Sequence, residues 1–241
     1  MRPEVDTISA KTLLTPPKEF EREQYMAFLF APHSPKLARR VYLYTPPSYD
    51  LWAQVETDSD VIGFNERPPR VPIATLDGNA IVVPPRFVTL QADKSLCVHS
   101  WGLSEADEAP TEGTSKVKYP GKDAWSAWSE LYGFKHRHWE PNTLKANPVH
   151  LDNLKRLLRF TTAPNRVRSI DARDAIKAVL QDVRKIRWHS LITQLARHDP
   201  QVVKEEISRL ILDKTVYSDL DKFPLSLITV LSIHAHGLGE A

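Results

Sequence analysis

Residues 61–101 read VIGFNERPPRVPIATLDGNAIVVPPRFVTLQADKSLCVHSW. Short runs of Val, Ile, Leu and Phe alternate here with turn residues, which is the pattern of antiparallel strands. Asp77-Gly78 separates two such runs, and this dipeptide is typical of a tight β-hairpin turn. A second turn separates the runs 87–91 and 95–101. The stretch therefore predicts a sheet built from strands that are neighbours in sequence.

Helical patterns lie on both sides of this stretch. Residues 48–57 place their apolar side chains on one face of a helix, and residues 19–30 predict a short helix before it. A further helix is predicted over 123–132 and a strand over 134–139. The first part of the chain thus predicts an α+β fold with a mixed sheet.

The spacing of apolar residues changes near residue 150, from every second residue, as in a strand, to every 3.6 residues, as in a helix. Four apolar stripes with helical spacing follow, within 151–158, 176–183, 188–195 and 203–211, and strand-like residues come after them. Helices followed by a small hairpin are typical of a winged-helix-like domain. We therefore divide the chain into an N-terminal arm, 1–18, a sheet domain, 19–165, and a winged-helix-like C-terminal domain, 166–241.

Composition narrows the classes of function. The formal net charge of the 241 residues is +2, with a single Cys and eight Gly. One Cys excludes an internal disulfide framework, and scarce Gly disfavours glycine-rich phosphate loops. The sequence shows neither a long apolar run nor a secretory leader. We expect a cytoplasmic protein that has no membrane contact.

The positive charge is concentrated in one segment. Residues 151–199 contain eleven Lys or Arg and five Asp or Glu, a local net charge of +6. Contacts with a phosphate backbone require such a local excess of cations. The alternative for a run of charges is a solvated helix face. The predicted DNA-binding residues are Lys155, Arg156, Arg159, Arg166, Arg168, Arg184, Lys185 and Arg187.

The order of elements in the first part resembles the nuclease domain of the TnsA-type endonuclease subunit of heteromeric transposases. The resemblance spans about residues 35–165. It includes DSDVIGFNERP at 58–68, Pro85-Arg86-Phe87, and Cys97-Val98-His99. It implies a restriction-endonuclease-like fold, followed by the winged-helix-like domain of the same family.

The sequence departs from that family at the positions that would bind metal. The family carries a Glu on a helix, a Pro-Asp-Phe motif and a Glu-Val-Lys motif. These catalytic positions fall on Ser48, Arg86, Cys97 and His99, so the carboxylates that would hold Mg²⁺ are absent from the motif. We expect Arg86 to pair internally with Asp50 or Glu56, although its guanidinium could instead hold a phosphate.

The resemblance implies a non-catalytic accessory subunit of a transposition or mobile-element system. Its partners would be a transposase, an AAA+ ATPase or transposon-end DNA, and it would need neither a cofactor nor a metal. Two alternatives stay open. One is an active metal-dependent endonuclease with a shifted site that includes Asp50, and the other is a winged-helix DNA-binding regulator.

Three further groups of residues favour structural roles. His136 and His138, like His234 and His236, share a strand face without an evident third metal ligand. Cys97 is expected to be a small buried apolar side chain. Trp125 and Trp128 are spaced to pack in a helix core rather than to stack on bases. None of these groups is taken as a catalytic or metal site.

Overall fold

The structure is a computed structural model that describes residues 8–15, 29–74, 80–101, 119–140, 142–161 and 168–233. It is an α+β protein with a mixed sheet and, within the described residues, seven helices. The chain divides into two compact units, 1–146 and 147–241, which we describe separately. None of the helices in the described ranges has the length and apolar character needed to cross a bilayer.

The first unit contains a four-stranded mixed sheet. Its strands are β3 (Val61–Asn65), β6 (Phe87–Gln91), β7 (Leu96–Trp101) and β8 (Lys135–Trp139), in that spatial order. The pairs β3–β6 and β6–β7 are antiparallel, whereas β8 runs parallel to β7. A parallel neighbour requires a crossover connection, and helix α3 (Lys122–Leu131) lies in it.

Shorter elements complete this unit. Helix α2 (Pro46–Thr57) precedes β3, and β4 (Val71–Ala74) pairs antiparallel with β5 (Ala80–Val83). The predicted hairpin is therefore formed, although its Asp77-Gly78 turn lies outside the described residues. The elements α1 (Ala10–Leu14), β1 (His33–Ser34) and β2 (Arg39–Arg40) come first in the chain.

The N-terminal segment differs from the predicted arm. Ser9 accepts a hydrogen bond from the backbone of Thr12 and caps helix α1. Leu13 on this helix is fully buried and packs in the same core as Trp125 and Trp128. The two tryptophans are thus core residues, as the sequence predicts. Residues 8–15 are therefore attached to the first unit, because Leu13 of α1 is one of the buried side chains of its core. Most of the helix predicted over 19–30 lies outside the described ranges.

The second unit is mainly helical. It contains α4 (Pro148–Thr161), α5 (Ile170–Val183), β9 (Lys185–Arg187), α6 (Trp188–Gln194), α7 (Pro200–Leu212) and β10 (Val230–Ser232). Strands β9 and β10 are antiparallel, and Tyr217 forms a bridge to Ser232 on the other side of β10. The strand-like residues predicted after the helices thus include one strand of three residues, β10, in the described part of the chain.

Helix α4 belongs to the second unit, whereas the sequence placed the domain boundary near residue 165. Leu157 packs in one core with Val203 and Ile207 of α7. The buried side chain of Asn153 also donates to the carbonyls of Leu220 and Phe223, at 2.7 and 2.8 Å. These non-local contacts connect α4 to the C-terminal residues, and the second unit accordingly begins at Asn147.

Candidate nucleic-acid interface

The four residues at the nuclease motif positions line two different cavities. Ser48 and Arg86 line a cavity of about 290 Å³, which we name the arginine cavity because Arg67 and Arg70 also line it. Cys97 and His99 line a cavity of about 540 Å³, which we name the histidine cavity. The four predicted motif positions are thus divided between two cavities.

Ser48 is part of the cap that begins α2. Its hydroxyl accepts a hydrogen bond from the backbone N–H of Thr45 at 3.1 Å. In return, Thr45 Oγ1 accepts from the backbone N–H of Ser48 at 3.3 Å. Glu commonly occupies this third position of a reciprocal cap. A serine here therefore keeps the cap but lacks the carboxylate that a metal site would use.

Arg86 lies against an aromatic ring. Its guanidinium carbon is 3.8 Å from the ring centroid of Tyr119, a cation–π arrangement. The Tyr119 hydroxyl donates to the carbonyl of Pro84 at 2.9 Å, which fixes the ring. This stacking gives the guanidinium a defined position in the wall of the arginine cavity.

The internal ion pair expected for Arg86 does not involve Glu56. The Glu56 carboxylate accepts hydrogen bonds from the Ser34 hydroxyl at 2.6 Å and the Lys36 backbone N–H at 2.8 Å. Burial raises the pKa of Glu56, and these hydrogen bonds act against that rise. Asp50 is buried on α2. Its pairing with Arg86 stays a prediction.

His99 is held as a neutral ring by two hydrogen bonds. The indole N–H of Trp139 donates to Nδ1 at 3.0 Å, and Thr89 Oγ1 lies 2.9 Å from Nε2. Because Nδ1 accepts, the proton of the neutral ring must be on Nε2. Burial, with a smaller effect from the charge of Arg137, lowers the pKa of His99 to about 3. His99 therefore cannot supply the positive charge of the motif lysine near neutral pH.

Cys97 is a buried thiol on the same face of β7. Burial raises its pKa to about 11, against the effect of nearby Arg137 and Lys135. The thiol therefore stays protonated at neutral pH and is a poor nucleophile. The prediction that Cys97 is a small buried side chain is confirmed by its 8% exposure.

Two of the three acidic residues around the histidine cavity, Asp58 and Asp93, have local partners. Asp58 accepts a hydrogen bond from the backbone N–H of Asp60 at 2.9 Å. Asp93 accepts from the backbone N–H of Ser95 at 2.8 Å and pairs with Lys135 at 2.9 Å. Among the residues that the structure describes, no group of three His, Cys, Asp or Glu side chains is arranged to hold a metal ion.

His136 and His138 take part in a serine–histidine network on the other face of the sheet. The Ser100 hydroxyl lies 2.8 Å from His136 Nε2 and 2.9 Å from His138 Nδ1. Ser126 Oγ lies 2.8 Å from His136 Nδ1. Ser100 is only 2% exposed, so this network is structural rather than open to a substrate. The pair His234 and His236 lies outside the described residues.

Two of the predicted DNA-binding residues share an exposed surface on the second unit. Lys185 and Arg187 are exposed on β9, whereas Ile186 between them points into the core. Their partners across the ladder are Ser232 and Val230, and Tyr217 follows beyond Ser232. Cross-strand partners lie on the same face of a sheet. We name the surface formed by Lys185, Arg187, Tyr217, Val230 and Ser232 the basic sheet face.

The other predicted DNA-binding residues do not all join this surface. Arg156 pairs with Asp152 at 2.9 Å and is 47% exposed at its side chain. Lys155 is half-buried on the same helix. Arg159, Arg168 and Arg184 are exposed, and no ion pair to them is found within the described ranges. Arg166 lies outside the described residues.

Helix α7 is covered rather than presented to solvent. Every residue of 201–212 is buried or half-buried, and α4, α5 and α6 all contact the helix. Glu206 on α7 is fully buried and pairs with Arg209. A base-reading role for α7 would therefore require α4 to leave it.

Sequence reasoning missed two residues of the arginine cavity. Arg67 and Arg70 flank Pro68-Pro69 in the segment that leads from β3 to β4. The structure brings them to the same cavity as Arg86, which lies in a later connection. An Arg-Pro-Pro-Arg run is a local signal for a stiff basic segment, but it does not show which later residue it will meet.

No protein-family model matches the chain, and no curated protein matches it.

Proposed function

We propose that this protein is a non-catalytic, DNA-binding accessory subunit of a transposition system, with the nuclease-like fold that its sequence resembles. The observation that carries the proposal is the order helix α2, strands β3, β6 and β7, helix α3, strand β8, with only β8 parallel to its neighbour. The resemblance implies this same order of helices and strands for the nuclease domain. The hairpin that belongs to this order is formed by β4 and β5.

The side chains at the motif positions support a binding role rather than hydrolysis. Metal-dependent cleavage needs carboxylates that converge on the cation and activate water. Here, Ser48 caps a helix, Arg86 stacks on a ring, and His99 is a buried neutral imidazole. The fold would then position DNA or a partner without cutting it.

The second unit supports a winged-helix-like contribution. Its elements follow the order α5, β9, α6, α7, and then Tyr217 and β10, with β10 between β9 and Tyr217. Since α4 covers α7, the proposed DNA contact lies on the basic sheet face rather than on a recognition helix. A winged-helix regulator remains the second candidate, and sequence-specific binding by the second unit alone would favour it.

The proposal includes protein partners. A subunit without cutting chemistry would act by positioning a transposase or an AAA+ ATPase on transposon-end DNA. Co-expression with the transposase and the AAA+ ATPase of a heteromeric transposition system tests this part. We expect a stable complex after size-exclusion chromatography, and separate elution of all three proteins would contradict it.

The DNA-binding part is tested by fluorescence anisotropy with a short duplex at several salt concentrations. Neutralising a phosphate contact contributes about 0.9 to the slope of log affinity against log salt. Lys185→Ala with Arg187→Ala should therefore reduce the slope by about two. The matched control is Lys122→Ala with Lys145→Ala, which removes two exposed cations from the first unit. Equal slopes for both double variants would contradict the assignment.

A further inference from the structure

One turn of the second unit carries two large apolar side chains at its tip. The backbone N–H of Thr229 donates to the carbonyl of Ser226 at 3.1 Å, which places Leu227 and Ile228 at the two corners of a four-residue turn. Such corners usually hold Gly, Pro, Asn, Asp or Ser. Here they hold exposed apolar residues, Leu227 at 59% and Ile228 at 71% exposure. We name residues 226–229 the Leu-Ile turn.

Hydrogen bonds hold the Leu-Ile turn in one conformation. The Ser226 N–H donates to Thr229 Oγ1 at 2.9 Å. Trp188, the first residue of α6, donates its backbone N–H to the Thr229 carbonyl at 2.8 Å, and His189 donates to the Leu227 carbonyl at 3.0 Å. Because the turn is fixed in this way, little backbone freedom is lost when its two apolar side chains are buried by a partner.

Exposed cations lie beside the turn. Val230 follows it directly, is itself exposed, and has Arg187 as its cross-strand partner. Lys185 and Arg187 are both exposed, and no ion pair to either is found within the ranges that the structure describes. The acidic residues Asp219 and Asp221 belong to an earlier turn of the same loop. The Leu-Ile turn therefore joins an exposed apolar tip to the positive charge of the basic sheet face.

Size and chemistry favour the minor groove of a duplex as the partner of this tip. A two-residue turn spans less than about 7 Å between its first and last Cα atoms, and the minor groove of B-DNA is about 6 Å wide. The major groove is about 12 Å wide, so the tip would contact only one of its walls. Apolar side chains that enter the minor groove insert between base steps and bend the duplex, while cations beside them neutralise phosphates.

We propose that the Leu-Ile turn enters the minor groove of duplex DNA as an apolar wedge. Leu227 and Ile228 insert at a base step, and Lys185 and Arg187 contact phosphates beside it. The inference rests on the proposed function for its choice of DNA. It adds how the basic sheet face holds the duplex, and it requires that the bound DNA is bent.

The test uses the full chain and an A·T-rich duplex of about 25 base pairs, with a fluorophore at each end and a flexible TpA step at its centre. Bending brings the ends together, so energy transfer between the fluorophores should rise on binding. Leu227→Ala with Ile228→Ala should abolish this rise and weaken binding about tenfold, because the burial of two apolar side chains is lost. The salt dependence of binding should stay unchanged, since Lys185 and Arg187 are still present.

Ile170→Ala is the matched control. Ile170 begins α5 in the same unit and is 73% exposed, but it lies outside the Leu-Ile turn. Its substitution should leave bending and affinity unchanged, and a loss equal to that of Ile228→Ala would overturn the assignment. Ile228→Lys adds a cation at the tip and should still abolish bending, whereas Ile228→Met should keep it. Should the double variant fail to fold, these single changes at the exposed Ile228 decide the outcome.

Three further results separate this inference from the proposed function. A duplex that binds with normal salt dependence but stays straight would overturn the wedge alone. A protein that binds no duplex would overturn the proposed function and the wedge with it. Netropsin, which fills the minor groove, should displace the protein, and unchanged binding in its presence would overturn the choice of groove.

A membrane surface is the competing partner, because exposed apolar side chains beside cations also bind anionic lipid. Vesicles of phosphatidylserine and phosphatidylcholine test it by co-sedimentation. We expect no binding that depends on the Leu-Ile turn. Vesicle binding that is lost in Leu227→Ala with Ile228→Ala, together with a duplex that stays straight, would overturn the proposal and indicate a membrane contact.

Discussion

The indole N–H of Trp139 donates a hydrogen bond to Nδ1 of His99 across 3.0 Å in the interior of the first unit. The two rings are also stacked, at 16° to each other. The bond requires an unprotonated Nδ1, so folding excludes the imidazolium form. The unfolded chain has no such restriction, and this difference makes stability depend on pH.

We expect the free energy of unfolding to fall by about 2 kcal/mol from His99 alone between pH 7 and pH 5. The pKa of His99 is about 3 in the folded protein, below its ordinary value, so the unfolded state binds the proton first as pH drops. The stabilisation that the neutral His99 ring provides is therefore fully present above the ordinary pKa of histidine and is lost as the pH falls towards 3.

The measurement is urea unfolding at both pH values, with His99→Gln and the exposed His189→Gln as a pair. His99→Gln should flatten the pH dependence, whereas His189→Gln should not. The NMR signal of the His99 ring in the unsubstituted protein should also stay constant between pH 7 and pH 5. A His99 ring that titrates near pH 6 would contradict the assignment.

Asn153 should be essential for anchoring the C-terminal loop of the second unit. Its side chain makes three hydrogen bonds to backbone groups, including one accepted from the Leu225 N–H at 2.7 Å. Removing this side chain leaves buried backbone groups without hydrogen-bond partners. Each unsatisfied group should lower the free energy of unfolding by about 1–3 kcal/mol. Asn153→Ala should accelerate hydrogen exchange at the Leu225 amide. Asn142→Ala, at an exposed asparagine of the first unit, should leave that exchange rate unchanged.

Leu13 should contribute to the stability of the first unit. It is fully buried in the core, although it lies in a five-residue helix near the N-terminus. Leu13→Ala should lower the free energy of unfolding by about 2–5 kcal/mol, as for other large-to-small core changes. Leu14→Ala, at a half-buried position next to it, should cost less. Equally small losses in the free energy of unfolding for the two variants would show that α1 is only loosely attached.

The isolated protein should leave supercoiled plasmid intact in the presence of Mg²⁺ or Mn²⁺. The physical reason is that Ser48, Arg86, Cys97 and His99 bring no carboxylate to the motif positions and line two separate cavities. Gel electrophoresis of the plasmid checks this. Nicking that is abolished by Asp50→Ala and by the isosteric Asp50→Asn would instead identify a shifted endonuclease site.

Arg156 should contribute less to DNA binding than Lys185. Both belong to the basic segment, but Arg156 already pairs with Asp152 and also donates to the carbonyl of Leu225. Breaking those contacts offsets part of any gain from a phosphate. We expect Lys185→Ala to lower the salt slope by about 0.9 and Arg156→Ala by less, measured by anisotropy with the same duplex. A larger reduction of the salt slope by Arg156→Ala than by Lys185→Ala would contradict the proposal that DNA contacts the basic sheet face.

Local sequence signals predicted many of the elements because their physical causes are local. The helix over 48–57 was expected from its apolar face, and the structure has it at Pro46–Thr57 with a reciprocal cap. Asp199 and Pro200 predicted the start of α7, and Asp199 accepts from the Gln201 N–H. Gly133 predicted the end of α3, and its φ of 70° lies in the left-handed region that glycine favours.

The candidate site was less predictable because its residues converge through the tertiary structure. The sequence placed Ser48, Arg86, Cys97 and His99 in one motif, whereas the structure divides them between two cavities. Arg67 and Arg70 carry only a local signal, the Arg-Pro-Pro-Arg run, which does not show that Arg86 lies at the same cavity. Their common cavity depends on how the connection after β3 meets the one before β6.

The sequence by itself determined where many of the helices and strands form and that residues 151–199 carry the positive charge, because capping, side-chain period and charge are properties of neighbouring residues. Only the tertiary structure decided that α1 fills the first core, that α4 covers α7, and that Lys185 and Arg187 share a face with Tyr217. An apolar stripe indicates that one face of a helix must be buried, but it does not indicate which distant element will cover that face. That choice depends on non-local packing, which no local pattern encodes.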